Sequence, residues 1–144
     1  MNHYKLVVLT LVVVIAVGLC SKLAWDDYQF KRASEQLPSV IDLSEQFRPP
    51  HGSKLVGTNE ISVNEYSTSV WRKYETATAY ANIRQHFNAL GQQTDFELRG
   101  ENEVYNGKQL LYRNGEYEVR VIHHQTEEAD TDLSINVNWY GLER

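Results

Sequence analysis

A long apolar segment near the N-terminus is the strongest feature of the hydrophobic pattern. Almost every residue from Leu6 to Cys20 is aliphatic. A helix that crosses a bilayer needs about 20 apolar residues, because a rise of about 1.5 Å per residue must cover about 30 Å of hydrocarbon. A helix from Tyr4 to Trp25 would be about 33 Å long. The pattern therefore predicts that residues 6–25 associate with a membrane.

Three fates of this segment are open. Aromatic residues at its two ends, Tyr4 and Trp25, are typical of an uncleaved single-pass anchor. The small residues Ala16 and Gly18, at positions −3 and −1, suit cleavage of a secretory signal. Lipidation of Cys20 is the third fate, because the preceding residues resemble a bacterial lipobox. However, Leu19 stands where that motif has a small residue. We expect the uncleaved anchor.

The charges around the segment bear on its orientation. Lys5 precedes the apolar run, whereas Lys22, Lys31 and Arg32 follow it. By the positive-inside rule, this distribution favours a cytoplasmic C-terminal part. A short tail that leads at once into an apolar run is instead typical of exported chains. We expect export, which would make the C-terminal domain extracytoplasmic.

The remainder of the chain divides in two by composition. Residues 26–53 carry mixed charges, with apolar positions at nearly helical intervals as far as Pro38. The adjacent prolines at positions 49 and 50 cannot continue a helix. We therefore predict a membrane anchor or signal at 1–25, a stalk and Pro-rich hinge at 26–53, and a folded domain at 54–144.

The folded domain mixes two hydrophobic periods. Apolar residues recur at helical spacing from Thr78 to Leu90, and Gly91 follows where a left-handed C-terminal cap would lie. Residues 133–140 alternate apolar and polar side chains, which predicts a strand with one buried face. The domain is expected to be α+β, with two layers. One helix would pack on one face of an antiparallel sheet of four or five strands, and water would cover the other face.

A hairpin is predicted around Asn114-Gly115, a dipeptide that two-residue turns prefer because both central residues take positive φ. The flanking residues 108–113 and 116–123 would pair. This arrangement places Arg113 opposite Glu116.

Charge and cysteine content exclude several classes of function. The chain has 14 Lys and Arg against 19 Asp and Glu, a formal net charge of −5. This charge would repel a phosphate backbone, so we expect no nucleic-acid partner. Cys20 is the only cysteine, so neither an intramolecular disulfide nor a cysteine-based metal site can form. We also expect no cofactor.

No motif for catalysis is present in the sequence. Phosphate-binding, dinucleotide-binding and nucleophile-elbow signatures are all absent. The adjacent His123 and His124 would point to opposite faces of a strand, so they cannot jointly bind one ion. The acidic residues 127–132 lack the spacing of a calcium-binding loop. We expect a protein that is not an enzyme. A hydrolase without a recognisable motif is a further hypothesis, beside the two binding hypotheses that follow.

Aromatic residues and histidines give two hypotheses for a binding site. Trp71 and Lys73 share one face of a predicted strand, and Tyr140 lies on the polar face of the last strand. Because Trp and Tyr supply large contact areas at low entropic cost, these three residues suggest a protein-binding surface. The alternative is a small-molecule or ion-binding sensor domain, with His86 or His123 in a cleft between helix and sheet.

The chain resembles a type of small bacterial envelope protein that is membrane-anchored or lipoprotein-like. The resemblance rests on the N-terminal apolar segment, the Pro49–Ser53 entry, the helix that ends at Ala89-Leu90-Gly91, and the final strand around Ile135–Trp139. It implies an α+β domain displayed on a membrane and identifies no functional residue. Our leading prediction is a non-catalytic binding or accessory module of the cell envelope.

Overall fold

The computed structural model describes residues 3–124 and 131–141. Helices and strands occupy most of this part of the chain. The helices are α1 (His3–Glu35), α2 (Leu37–Gln46) and α3 (Tyr80–Gln93). The strands are β1 (Lys54–Val63), β2 (Ser67–Thr76), β3 (Glu97–Val104), β4 (Gly107–Asn114), β5 (Tyr117–His124) and β6 (Thr131–Tyr140).

The strands form one antiparallel six-stranded sheet in the order β1-β2-β6-β5-β4-β3. The predicted α+β class is confirmed, with six strands in place of the four or five expected. The strand with the weakest sequence signal is β3, which is rich in charged residues and largely exposed. It lies at the edge of the sheet and pairs with β4 alone, so its side chains need little apolar alternation.

Helix α1 is long and apolar enough to cross a membrane, and nothing in the described structure covers its apolar window. Its large apolar side chains from Val7 to Leu23 are exposed. A surface of this size and composition suits lipid better than water. Length and composition alone support this reading, and a signal sequence would satisfy the same criteria. Anchor and cleaved signal therefore both stay open.

Helix α2 packs on β2 and β6 of the sheet, although the sequence predicts a stalk and hinge for residues 26–53. Pro38 lies in the first turn of α2, where its missing N–H leaves no hydrogen bond unmade. Val40 and Phe47 are fully buried, as is Ala33 near the end of α1. The segment 26–53 thus contributes to the core, and two helices and the end of α1 cover the sheet rather than one helix. The domain boundaries themselves stay predictions.

One face of the sheet forms the core with these helices. Helix α3 contributes Ile83 and Phe87, which recur at the predicted helical spacing. Phe47 contacts Phe96 edge to face, with ring centroids 5.1 Å apart, and so joins α2 to the start of β3. The strands contribute Val70, Tyr74, Leu110, Tyr112, Val119, Val121, Leu133, Ile135, Val137 and Trp139.

Gly91 does not end α3, which continues to Gln93. A Cβ atom at Gly91 would lie 2.9 Å from the carbonyl oxygen of Phe96 and 3.1 Å from the ring of Tyr112. The glycine therefore permits close packing of helix against sheet, and the prediction of a left-handed cap at this position was wrong.

The β4–β5 hairpin turns one residue later than predicted. Asn114 pairs with Tyr117, and Arg113 pairs with Glu118 rather than with Glu116. Gly115 takes the positive φ, at 55°. Because each partner changes by two positions, every side chain keeps its predicted face. The new register has one consequence for the site, because it places Glu118 beside Arg113.

Candidate functional site

The face of the sheet opposite the helices is not covered by any described element, and we call it the open face. Cross-strand partners share a face. Asn136 of β6 lies opposite Trp71 of β2 on one side and Arg120 of β5 on the other. Asn138 lies in the same way opposite Glu118. Both asparagines are buried.

A buried carboxylate lies at the centre of the open face. Glu118 is only 2% exposed, yet it accepts hydrogen bonds from Arg113 at 2.7 Å and from Arg120 at 2.6 Å. The hydroxyl of Tyr140 lies 3.4 Å from both Glu118 and Arg120. Two guanidinium groups compensate the burial of one charge. The result is a fixed Arg113–Glu118–Arg120 cluster with its guanidinium groups partly exposed.

The predicted residues Trp71, Lys73 and Tyr140 all lie on the open face. Trp71 is 39% exposed. Lys73 forms a 2.8 Å ion pair with Asp132 of β6. Since Ser67 is the partner of Tyr140 and Asn136 that of Trp71, the two aromatic residues lie about 13 Å apart along the strands. The Arg113–Glu118–Arg120 cluster between β4 and β5 was missed.

The sequence indicates the common face of the Arg113–Glu118–Arg120 cluster, but the pairing of its residues depends on the strand register. Arg113, Glu118 and Arg120 alternate with apolar residues along β4 and β5, so their common face was predictable. Their pairing was not, because a turn shifted by one residue changes which acid meets which base.

His123 lies on the opposite, helix-covered face and lines a cavity. The cavity has a volume of about 350 Å³ and lies between the start of α3 and the β3–β4 turn. Tyr80 and Lys108 also line it. The Lys108 ammonium lies 5.0 Å from the centroid of the Tyr80 ring, a cation–π contact. The Tyr80 ring centroid is 5.8 Å from that of His123.

His86 is not part of that cavity lining. Its Nε2 lies 2.8 Å from the carbonyl oxygen of Arg48, so it donates a hydrogen bond there. Its ring stands edge to face on Phe87, at 5.1 Å between centroids. His86 thus joins α3 to the segment that leads into β1, and of the two predicted histidines only His123 lines this cavity.

Stability is expected to fall as the pH decreases below about 6.5, the ordinary pKa of histidine. Burial lowers the pKa of His123, and a hydrogen bond to the backbone of Thr78 only partly opposes this effect. The unfolded chain therefore binds the proton at a pH where the folded chain does not, so acidification favours unfolding. Urea unfolding as a function of pH measures this dependence.

His123→Gln should reduce the pH dependence between about pH 5 and 7, where carboxylates contribute least. The matched control is His51→Gln, because His51 is exposed in the turn before β1, whereas His124 itself helps to lower the pKa of His123. An unchanged pH profile in His123→Gln would show that another group is responsible.

The remaining predicted sites are placed as follows. Cys20 is exposed on α1, and its lipidation stays a prediction. The acidic residues 127–130 lie outside the described residues. Within residues 3–124 and 131–141, no group of three metal-ligand side chains is arranged to hold an ion.

Comparison of the chain with protein-family models, with curated protein sequences and with solved structures finds no match. The resemblance to small envelope proteins therefore stays a prediction, and the function has to be argued from this chain's own chemistry.

Proposed function

We propose that the chain is a non-catalytic binding module, held at a membrane of the cell envelope by α1, that contacts a protein partner through the open face. The observation that carries this proposal is the asymmetry of the sheet. Helices bury one face, whereas the other presents Trp71 and the Arg113–Glu118–Arg120 cluster without a described covering element.

The chemistry of the open face suits a protein partner. Tryptophan, tyrosine and arginine are the residues that most often dominate the energy of protein interfaces. Trp71 supplies apolar area. Arg113 and Arg120 are already held by Glu118, so a partner would spend little entropy in ordering them.

The hydrogen bonds of the histidines support a non-catalytic role. His86 bonds to the carbonyl of Arg48. His123 bonds to the backbone of Thr78, and its buried Nε2 has no hydrogen-bond partner among the described residues. A histidine acting as a general base needs a nucleophile or a substrate proton within hydrogen-bond reach. Backbone partners are instead typical of histidines that stabilise the fold.

Photo-cross-linking in intact cells tests the proposal. A benzophenone side chain at position 71 should give a cross-linked protein product. The same side chain at position 105 should not, because Tyr105 lies in the β3–β4 turn, away from the open face, and is 89% exposed. Equal products at both positions, or none at position 71, would count against the open face.

Trp71→Ala should weaken binding of the identified partner about 30-fold, corresponding to about 2 kcal/mol for a central aromatic residue. Tyr105→Ala serves as the matched control and should bind normally. Affinity measured with the purified partner gives the result. A Trp71→Ala variant that binds normally would exclude this residue from the interface.

The cavity beside His123 favours a second candidate function, binding of a small polar molecule. Its volume of about 350 Å³ lies at the lower end of the range for ligand sites, about 300–1,000 Å³. Ligand-observed NMR with a library of small polar compounds tests this candidate. A true ligand should lose binding on Lys108→Ala, and binding that survives this change would place the ligand elsewhere.

A further inference from the structure

Helix α1 enters the folded domain without a linker. Trp25, at the end of the apolar segment, and Ala33, which is fully buried in the core, belong to the same helix. The helical rise between them is about 12 Å. If α1 is anchored in a bilayer, as the proposed function requires, the domain begins within about two helical turns of the hydrocarbon.

Several contacts fix the end of α1 against the sheet. Arg32 donates hydrogen bonds to the carbonyl of Gly141 and to the carboxylate of Glu116, each at 3.0 Å. Its guanidinium lies 5.4 Å from the centroid of the Trp139 ring. The hydroxyl of Thr68 donates to the carbonyl of Ala33. The domain therefore cannot swing on α1 as on a flexible tether.

The same network reaches the turn between β1 and β2. Gly141 accepts a hydrogen bond from Arg32 at its carbonyl oxygen. Its backbone N–H donates to the carbonyl oxygen of Tyr66 at 3.0 Å. Asn64 holds the turn from within, since its side-chain oxygen accepts from the amides of Tyr66 and Ser67 at 2.9 and 3.0 Å. The backbone of Tyr66 is thus fixed, while its side chain is 50% exposed.

Tyr66 lies close to α1 near the end of the apolar segment, because the domain packs along α1 as far as Asp26. Gln29 is only 3% exposed and Asp26 is half-buried, on the side of α1 that also carries the buried Ala33. The carboxylate of Glu65, burial, and the carboxylate of Asp26 raise the pKa of the Tyr66 phenol, in that order. Asp26 directly follows Trp25. The turn therefore lies beside the first residues that leave the apolar segment.

We propose that the domain rests on the bilayer, with Tyr66 of the β1–β2 turn among the phospholipid headgroups at the level of Trp25 and Tyr28. The two α1 residues are exposed, with ring centroids 6.0 Å apart. Each headgroup layer is about 5–7 Å thick, and aromatic side chains with a polar edge partition there. One turn of α1 lies within that depth.

The surface formed by Trp25, Tyr28 and the β1–β2 turn suits lipid because it is continuous with the apolar segment. Its charges are mixed, since Asp26, Asp27 and Glu65 are acidic and Lys22 and Lys31 are basic. This balance gives no net attraction to an anionic surface. We therefore assign zwitterionic headgroups, such as phosphatidylcholine, as the lipid contacted.

Spin labels on the full chain in phosphatidylcholine vesicles test the proposal. The background is Cys20→Ser, with a single cysteine at position 13, 66 or 105. Val13 lies in the middle of the apolar segment and reports whether α1 is inserted. Position 105 is the matched control for position 66, because both are exposed tyrosines in hairpin turns, and they lie at opposite ends of the strands.

The measurement is the ratio of collision rates with oxygen, which enters lipid, and with a nickel chelate, which stays in water. We expect this ratio to be about twofold or more higher at position 66 than at position 105, because polar reagents are depleted near the bilayer. The label at position 13 should show the highest ratio.

The outcomes distinguish contact of the β1–β2 turn with the headgroups from membrane insertion of α1. A lipid-exposed label at position 13 with equal ratios at positions 66 and 105 would overturn the headgroup contact of the β1–β2 turn and leave the membrane anchor in place. A water-exposed label at position 13 would overturn both. A ratio at position 66 that rises only with phosphatidylglycerol in the vesicles would contradict the assignment of zwitterionic headgroups.

Discussion

Replacing Phe47 by alanine is expected to lower the free energy of unfolding by about 3–5 kcal/mol, the usual cost of truncating a buried phenylalanine. Phe47 is 0% exposed. Its ring packs against Phe96 and Tyr112, with centroids at 5.1 and 6.2 Å. The truncation would leave a cavity where α2, β3 and β4 meet. Urea unfolding of the full chain in detergent, followed by near-UV circular dichroism, measures the change.

Phe30→Ala is the matched control for Phe47→Ala. Phe30 belongs to the same segment, 26–53, but its side chain is 47% exposed. The change should therefore alter stability by no more than about 0.5 kcal/mol. A small effect at both positions would mean that α2 is a separate stalk after all.

Replacing Gly107 by alanine should destabilise the protein by about 2–3 kcal/mol, because the new methyl group has no space. A Cβ atom at this position would lie 2.2 Å from the carbonyl oxygen of His123 and 3.0 Å from the Cα atom of His124. Both atoms belong to the backbone of the paired strand β5, which cannot move without breaking the ladder. The same unfolding assay gives the magnitude.

Gly100→Ala provides the comparison within the sheet. Gly100 lies in β3, and the nearest atom to its Cβ position is the side-chain nitrogen of Asn102 at 3.4 Å. Alanine there should be neutral or slightly stabilising, because it reduces the freedom of the unfolded chain. Equal losses at positions 100 and 107 would indicate a general intolerance of the sheet, and not the close backbone approach.

The elements predicted best were those whose pattern is set by a single buried face. The helical spacing of Ile83 and Phe87 and the alternation from Leu133 to Trp139 both follow from contact with one core. The open-face positions of Trp71 and Tyr140 follow from the same alternation. Local periodicity is enough to predict an element and its buried face when one side of the element is exposed to solvent and the other is packed in the core.

The packing of α2 could not be read in the same way. Val40 and Phe47 have the spacing of one helical face, but that spacing occurs equally in a helix that binds a partner and in one that packs on its own domain. Which surface receives the face depends on long-range geometry. The pairing of Arg113 with Glu118 was missed for a related reason, since the turn type sets the register.

Because α1 continues without a break into the core, rotation of α1 about its axis is coupled to rotation of the sheet. With Arg32 bound to Gly141 and Glu116, turning α1 about its own axis must turn the sheet by the same angle. In an anchored chain, the azimuth of the open face around the membrane normal is therefore set by the helix within the lipid. A partner that holds Trp71 would fix which side of α1 faces a neighbouring membrane helix.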